Sequence, residues 1–568
     1  MTAQTPFPAA LHSAARALAA AAALLTGSAS ASSPALTIVN GDFSDLAGLA
    51  QGQDRWYAGV PKGWSGAGGS YAVHAARGAT PPTCNPSTLG LLRQNAGTLE
   101  RASDVTLRFD VSEPWNPDVA LHAAILDGNL LPLAEGDFTP GRGRTLVAKA
   151  VPAGKAIVAA FRAAKSTPGL DNVAVSAVDS AAPAAAHPGA RDRRITVASY
   201  YFGNYHPGDP RNARNKGPHW SEWELVKAAR PRFPGHEQPK VPQWGWTDES
   251  DPKVMEQKIA AAANHGIDAF IFDWYHYDDG PFLDRPIDRG FLKASNNDRL
   301  KFAFMWANHD WLEIQPYKRN TPHRTLYPGV VTPATFEKIC DHVIRDYFLH
   351  PAYWKIAGKP YFSFYDLTKL LGNFGSVPAT RAALDRFREK ARAAGLPGLH
   401  LNAVAWGQTI LPAEKKPADT QQLIRDLGFD SVTSYVWIHH VGLPRQLTDY
   451  NEVRDGYLAY WNEALRTFDV PYFPNVTMGW DPSPRAAQED EFGNFGYPFT
   501  NTIGNNTPEN FRRALEITRE RLLALPGGPR ILNINCWNEW TEGSYLEPDT
   551  VHGMKYLEAV RDVFRPGK

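Results

Sequence analysis

From residue 194 onward, short apolar runs alternate with longer amphipathic segments. The runs are rich in β-branched and aromatic residues, which is typical of buried strands, whereas the segments between them have helical periodicity. Several helical segments carry start signals, such as Asp251 before Pro252 and Thr507 before Pro508. We predict helices at 252–265, 333–347, 379–394 and 508–525, and eight strands at 195–201, 269–275, 301–308, 360–366, 400–406, 431–437, 472–480 and 531–535.

These β/α units predict an α/β fold over 194–568, a (β/α)₈ TIM barrel with enlarged loops. A doubly wound open sheet is the runner-up, because it also alternates strands with helices. That alternative lacks its usual support, since no Gly-x-Gly-x-x-Gly sequence follows a strand candidate. The 568 residues exceed what one ordinary core holds, so a second domain is expected before the barrel.

Residues 36–178 contain short strand-like runs punctuated by glycine, proline and asparagine, without a long helical period. This pattern predicts a jelly-roll-type β-sandwich. The opening Asn-Gly-Asp-Phe at 40–43 and the closing strand at 170–175 resemble secreted carbohydrate-binding jelly rolls. Residues 179–193 are rich in alanine, proline and glycine, which predicts an interdomain linker.

The first 31 residues have the features of a signal peptide. Arg16 precedes an apolar stretch at 17–25, and Ala29-Ser30-Ala31 offers a small-x-small cleavage pattern. We therefore expect a secreted or periplasmic protein. The apolar stretch is too short to span a bilayer as a stable helix, and no later segment is apolar enough, so no membrane span is expected.

Charge and cysteine usage exclude several classes of protein. Lysine plus arginine and aspartate plus glutamate number 59 each, so the formal charge is zero, and a nucleic-acid partner is not expected. Cys84, Cys340 and Cys536 lie far apart, without a disulfide framework or a Cys-x-x-Cys metal knuckle.

Two glutamates three residues apart, Glu539 and Glu542, follow the last strand candidate and stand beside Trp537 and Trp540. Cleaving a glycosidic bond requires one group that protonates the leaving oxygen and a second that handles the charge developing at the sugar carbon. Flat aromatic surfaces suit the faces of sugar rings. We interpret Glu539 and Glu542 as catalytic candidates. The alternative is a surface loop whose carboxylates are solvated.

The carboxyl ends of barrel strands form the active-site face, so the residues at those ends are candidate ligands. They mix aromatic, acidic and amide side chains, as sugar binding requires. The alternative is that the large rings fill the top of the barrel as core. A long excursion after the first strand adds three more candidates. Together the predicted substrate-binding residues are Tyr201, Glu222, Trp223, His236, Asp273, Trp274, Trp306, Asn308, Tyr365, Trp437, Trp480, Trp537, Asn538 and Trp540.

Other chemistries have weaker sequence support. There is no His-Glu-x-x-His zinc motif and no Gly-x-Ser-x-Gly nucleophile elbow. The pairs His439-His440 and Asp278-Asp279 consist of adjacent residues, whose side chains point apart. We therefore expect neither a metal nor a cofactor.

Six motifs occur along the barrel region, at 200–201, 220–223, 233–239, 306–308, 537–543 and 546–549. Together they resemble the WbsX-like proteins of bacterial polysaccharide loci, which are similar to the endo-α-1,2-mannosidase family of glycoside hydrolases, family 99. The resemblance implies a (β/α)₈ barrel with two catalytic glutamates, retention of anomeric configuration and no covalent enzyme–sugar bond. By position, Glu539 matches the base that deprotonates the sugar's 2-hydroxyl to give a 1,2-anhydro sugar. Glu542 matches the group that protonates the leaving oxygen and then activates water.

The expected activity is endo-acting hydrolysis of an α-linked oligo- or polysaccharide. One alternative is a glycosyltransferase, a label that WbsX-like proteins also carry. Predicted export and the missing nucleotide loop argue against it, because sugar-nucleotide donors are cytosolic. A second alternative is a sugar-binding protein without catalysis, against which the presence of both Glu539 and Glu542 weighs.

Overall fold

The computed structural model describes residues 36–566, apart from 53–54, 68–70, 76–81, 87–90, 113–118, 167, 181–193 and 526. The predicted signal peptide, residues 1–31, lies outside the described residues, as do residues 181–193 of the predicted linker.

The N-terminal unit is a sandwich of two antiparallel sheets. Their orders are β1-β2-β4-β5-β12-β7-β10 and β3-β6-β11-β8-β9. Alternate residues of β7 point inward, so that Val105, Leu107, Phe109 and Val111 are buried between the sheets. The β-sandwich prediction is confirmed. The strands are β1 Ala50–Gln51, β2 Trp56–Ala58, β3 Ser65–Ala67, β4 Ala72–His74, β5 Thr83–Asn85, β6 Leu91–Thr98, β7 Ser103–Ser112, β8 Ala120–Asp127, β9 Pro132–Phe138, β10 Gly141–Val151, β11 Ala156–Lys165 and β12 Gly169–Asp179.

The C-terminal unit is built on parallel strands in the order β24-β22-β21-β20-β16-β14-β13-β27-β25. These strands are β13 Thr196–Tyr201, β14 Ala269–Tyr277, β16 Lys301–Trp306, β20 Lys359–Phe364, β21 His400–Val404, β22 Ser431–Thr433, β24 Tyr472–Phe473, β25 Asn475–Thr477 and β27 Ile531–Asn535. Shorter strands lie in the loops between these elements: β15 Gly280–Phe282, β17 Trp311–Leu312, β18 Thr325–Tyr327, β19 Lys355–Ile356, β23 Leu447–Asp449, β26 Thr502–Gly504, β28 Asn538–Glu539 and β29 Ser544–Tyr545.

The two ends of this sheet meet at Pro474, which separates β24 from β25. Proline has no backbone N–H, so it interrupts a strand. Its carbonyl nevertheless accepts a hydrogen bond from the backbone N–H of Asn533 at 3.0 Å. Thus β24 and β25 act as one strand whose halves pair with opposite neighbours, and the eight predicted strands close into the predicted barrel.

Helices alternate with the barrel strands, and their starts follow the capping residues seen in the sequence. The carboxylate of Asp251 accepts from the backbone N–H of Lys253, and the hydroxyl of Thr507 from that of Asn510. The helices are α1 Pro210–Lys216, α2 Trp223–Ala228, α3 Pro252–Asn264, α4 Pro333–Val343, α5 Leu367–Gly372, α6 Val377–Ala393, α7 Thr420–Leu427, α8 Tyr450–Thr467, α9 Pro508–Ala524 and α10 Lys555–Phe564.

The five-stranded sheet of the sandwich packs against α8 and α9 of the barrel. Its outward apolar residues, including Leu126 and Leu130, join the core of the barrel unit. Arg466 on α8 lies 2.6 Å from the carboxylate of Glu135, and Arg521 on α9 donates to the carbonyl of Leu130 at 2.9 Å. Hydrophobic and charged contacts therefore fix the sandwich on the barrel.

Candidate active site

Glu539 and Glu542 lie on a tight hairpin just after β27, at the carboxyl ends of the barrel strands. Strand β28 ends at Glu539, a 3₁₀ turn covers Trp540–Glu542, and β29 returns antiparallel to β28. Gly543 ends the turn with φ +63°, and a Cβ atom there would lie 2.8 Å from the Cβ of Asp481. This turn buries both carboxyl groups, which are 4% and 5% exposed.

Trp537 and Trp540 hold this hairpin from behind. Their indole N–H groups donate to the two carboxylate oxygens of Glu547, at 2.9 and 2.8 Å. The ammonium of Lys258 lies 2.8 Å from the same carboxylate, and the ring of Trp540 stacks on Tyr545 at 3.8 Å. Both indoles are fully buried, so in this structure they brace the turn and do not face the cavity.

Tyr201 and Asn538 also lie behind the site. The side-chain amide of Asn538 exchanges hydrogen bonds with the backbone of Phe202, at 2.7 and 2.9 Å, and donates to Glu249 at 3.1 Å. The hydroxyl of Tyr201 donates to Glu249 at 2.8 Å. These bonds tie the hairpin to the end of β13.

Arg485 joins the two candidate catalytic glutamates. It ends the 3₁₀ turn Ser483–Arg485 in the loop after β25 and is 6% exposed. Its Nη1 donates to Glu542 at 2.5 Å, its Nη2 to Glu539 at 3.1 Å, and its Nε to Glu222 at 2.8 Å. Glu222, a predicted substrate ligand, therefore contacts this guanidinium. Charge-assisted bonds of this kind fix the relative position of both carboxyl groups.

A cavity opens over these carboxylates at the mouth of the barrel. Tyr435 donates to Asp273 at 2.9 Å and lies 3.5 Å from Glu539, and Tyr497 donates to Glu542 at 3.0 Å. The cavity is lined mainly by aromatic and apolar side chains, together with charged and polar ones. Of the predicted site residues, those lining it are Asp273, Tyr365, Trp480, Glu539 and Glu542.

The site brings the guanidinium of Arg485 together with the carboxyl groups of Asp273, Glu539 and Glu542. Burial raises the pKa of Glu539 and Glu542, and the charge of Arg485 opposes that shift. Burial also raises the pKa of Asp273, which the hydrogen bond from Tyr435 partly offsets. The raised pKa values of these three carboxyl groups favour their protonated forms, and a protonated carboxyl group is what general acid catalysis requires.

Three predicted tryptophans at strand ends lie in the barrel wall. The rings of Trp274 and Trp306 pack against Phe304 and Phe336, and the N–H of Trp437 donates to the carbonyl of Asn475 at 2.9 Å. All three are at most 2% exposed. Side chains alternate along a strand, so Asp273 faces the cavity and the next residue, Trp274, faces away.

The remaining predicted ligands support the loops around the cavity. The N–H of Trp223 donates to the carbonyl of Thr247, and the ring of His236 bonds to Asp481 at 2.8 Å. Asn308 exchanges hydrogen bonds with the backbone of Asp366 at 2.8 Å. None of these three side chains lines the cavity among the described residues.

Sequence reasoning missed several residues that line the cavity. Tyr275 and Tyr435 stand at strand ends and were recognisable from the period-two alternation. Arg485 and Tyr497 lie in the long loop after β25, where nothing in the local sequence marks them. The lining residues that the sequence did not single out include Tyr275, His309, Tyr435, Arg485 and Tyr497.

Within the described part of the chain, no group of three or more histidine, cysteine, aspartate or glutamate residues is arranged to hold a metal ion. Among the same residues, no helix is both long and apolar enough to cross a membrane.

The chain is similar to many solved structures, including the following two. A GH99 endo-alpha-mannosidase from Bacteroides thetaiotaomicron is 14% identical, covers 64% of this chain and 95% of its own, and has a TM-score of 0.39. A glycoside hydrolase-like protein is 17% identical, covers 65% of this chain and 94% of its own, and has a TM-score of 0.42.

Among curated proteins, the chain is similar to uncharacterized protein WxcX of Xanthomonas campestris pv. campestris, with 28% identity over 378 residues. The match covers 64% of this chain and 49% of that protein, so the chain spans about half the length of the curated relative it matches. A family model described as Glycosyltransferase WbsX matches residues 197–560, a range that begins in β13, ends in α10 and includes the hairpin. The chain therefore belongs to the WbsX family.

Proposed function

We propose that this protein is a glycoside hydrolase that cleaves an α-linked glycan through Glu539 and Glu542. The observation that carries the proposal is the arrangement of these two buried carboxyl groups. They share the guanidinium of Arg485 and face an aromatic-lined cavity at the barrel mouth. Two buried carboxyl groups with raised pKa values, next to flat aromatic side chains, are suited to protonating a glycosidic oxygen.

In the proposed first step, Glu542 gives its proton to the leaving glycosidic oxygen while Glu539 takes the proton of the sugar's 2-hydroxyl. The bond from the anomeric carbon to the leaving oxygen breaks, and the 2-oxygen bonds to that carbon to give a 1,2-anhydro sugar. In the second step, Glu542 takes a proton from water, whose oxygen attacks the anomeric carbon and displaces the 2-oxygen, so that the bond between that carbon and the 2-oxygen breaks. Glu539 then returns its proton to the 2-oxygen. Two inversions give net retention.

The first step requires a proton on Glu542 and a negative charge on Glu539. In the substrate-free site, Glu542 accepts from both Arg485 and Tyr497, which stabilises its ionised form, whereas Glu539 accepts from Arg485 at a longer distance. The resting proton is therefore favoured on Glu539. We propose that substrate binding moves it to Glu542, because a glycan hydroxyl that contacts Arg485 or Tyr497 weakens their bonds to Glu542.

The family description names a second candidate, glycosyl transfer. A sugar-nucleotide donor would bring a diphosphate with two negative charges. The cavity's one guanidinium already contacts three carboxylates, so a dianion would meet net repulsion. The charge of the site favours a neutral glycan substrate.

We propose further that the protein acts outside the cytoplasm, on the basis of the predicted signal peptide at 1–31. Fractionating producing cells tests this directly. We expect protein in the periplasm or medium that has lost its first residues, and full-length cytosolic protein would contradict the proposal.

The central experiment incubates purified protein with a panel of α-linked polysaccharides and sizes the products, with Glu539→Gln and Glu542→Gln as matched controls. We expect shortened chains from wild type only, and proton NMR should show retention at the new anomeric centre. Cleavage that survives in both variants would contradict the site assignment. Turnover of sugar nucleotides without polysaccharide cleavage would favour glycosyl transfer.

A further inference from the structure

A second, larger cavity lies between the sandwich and the barrel. Its volume is about 450 Å³, within the usual range of small-molecule sites, about 300–1,000 Å³. The sandwich contributes Arg162 and Ala164 from the end of β11, and the barrel contributes Trp406, His440 and Tyr460. The cavity is thus built from both domains and does not belong to the active site described above.

The interface around this cavity is held by specific contacts. Arg162 lies 3.3 Å from the carboxylate of Glu463 at the cavity itself. Nearby, Arg466 contacts Glu135 at 2.6 Å. Ion pairs that span the interface fix the two walls relative to one another, so the space is a defined feature of the domain arrangement.

Aromatic side chains line the barrel side of the cavity, and two of them carry buried polar atoms that lack partners in the described part of the chain. The ring of His440 stacks on Tyr460 at 3.6 Å. The Nδ1 of His440 and the indole N–H of Trp406 have no hydrogen-bond partner among the described residues, and both side chains are more than nine-tenths buried. Unpaired buried polar atoms are costly, and sugar hydroxyls, which both donate and accept, would pair with them after small side-chain adjustments.

The charged groups at this cavity are already engaged. Arg162 pairs with Glu463, the ammonium of Lys416 donates to the carbonyl of Gly407 at 3.2 Å, and Asp419 caps α7 by accepting from the backbone N–H of Gln422. Burial keeps His440 uncharged by lowering its pKa well below the usual range. The two cationic and two anionic side chains that line the cavity sum to zero net charge, which favours a neutral ligand.

Trp406 lies between this cavity and the active site. Its ring centroid lies 5.1 Å from that of Tyr365 and 5.7 Å from that of His439, and both of these residues line the active-site cavity. The two cavities are therefore neighbours, separated at this point by the ring of Trp406.

We propose that this interdomain cavity is a binding subsite for neutral hexose units of the glycan, remote from the bond that is cleaved. The proposal rests on the proposed hydrolase function. It also gives the sandwich a role, because β11 closes one side of the subsite. Long substrates should therefore bind more tightly than short ones.

The test fills the cavity from the sandwich side with Ala164→Trp, far from the catalytic groups. Ala164 is exposed at the cavity edge, and Ala174→Trp, at an exposed position of the other sheet, is the matched control. Trp406→Phe is a second variant that keeps a ring but removes the unpaired N–H. The probes are α-linked mannose and glucose oligosaccharides of two, four and six units, measured by calorimetry and by kcat and KM.

We expect wild type and the control to bind six-unit probes about tenfold more tightly than two-unit probes, and Ala164→Trp and Trp406→Phe to lose that gain. Their kcat on a two-unit aryl glycoside should be unchanged. If wild type cleaves glycans and Ala164→Trp keeps the full length dependence, the subsite is refuted and the hydrolase stands. If wild type binds long probes more tightly than short ones but cleaves no glycan, and Ala164→Trp abolishes that difference in binding, the hydrolase proposal alone is refuted. Absence of any binding or cleavage refutes both.

Discussion

Removing Arg485 should make stability strongly dependent on pH. The guanidinium contacts Glu222, Glu539 and Glu542, and all four side chains are at most 7% exposed. Deleting one partner of a buried ion pair costs about 3–5 kcal/mol, because an unpaired charge stays buried. Arg485→Gln keeps hydrogen-bonding capacity but loses the charge, so we expect this full loss near pH 7.5.

The loss should be smaller in acid. Without Arg485, the pKa values of Glu539 and Glu542 rise further, since burial is then unopposed. When folding raises the pKa of a carboxyl group, that group adds its full contribution to the free energy of unfolding at pH values below its unfolded pKa, about 4.3. The contribution is lost as the pH rises through the folded pKa. Near pH 4 the carboxyl groups are protonated in both states, and a deficit of about 1–2 kcal/mol from altered hydrogen bonds is expected.

Urea denaturation at pH 4 and pH 7.5, followed by tryptophan fluorescence, measures both free energies of unfolding. Arg324→Gln is the control, because Arg324 pairs with Glu313 while their side chains are 73% and 41% exposed. Its loss should be small at either pH, because water screens an ion pair between exposed side chains. A loss for Arg485→Gln that equals the control's, or that does not grow with pH, would refute the role given to this guanidinium.

Three further predictions concern residues around the site. Burial raises the pKa of Glu414 to about 7, so wild type should lose stability between about pH 4.3 and 7, and thermal midpoints should show a smaller loss in Glu414→Gln. Trp540→Phe removes the indole hydrogen bond to Glu547. This change should lower the free energy of unfolding by about 1–3 kcal/mol, and it should lower kcat by a larger factor than it raises KM. Trp306 is buried in the barrel wall, so Trp306→Ala should lower the free energy of unfolding by about 3–5 kcal/mol. Trp480 lines the cavity, so Trp480→Ala should chiefly raise KM. The reverse pattern would contradict the positions given to these two rings.

The barrel could be predicted because its strands and helices are encoded locally. The last strand was predicted at 531–535, where β27 lies, and Asp251 and Thr507 start helices as expected. The prediction for 472–480 was too long, because Pro474 splits this segment and the chain leaves the sheet after Thr477.

The site could be predicted only in part. Glu539 and Glu542 share one hairpin, so their proximity follows from the local sequence. Trp274 and Trp306 were selected for residue type, although the alternation along their strands places them beside residues that face the cavity. Arg485 reaches the glutamates from 54 and 57 residues away, and such pairing depends on the closed barrel.

The most direct test of the account compares Glu542→Gln and Glu539→Gln on a glycan that wild type cleaves and on an aryl glycoside of the same sugar with an activated leaving group. Glu542→Gln should slow glycan cleavage by about 10²–10⁴-fold. Its cleavage of the aryl glycoside should be slowed less, because that leaving group needs little protonation. Glu539→Gln should slow both substrates severely, because the 2-hydroxyl is no longer activated. Near-wild-type kcat/KM on the glycan in either variant would contradict the central claim.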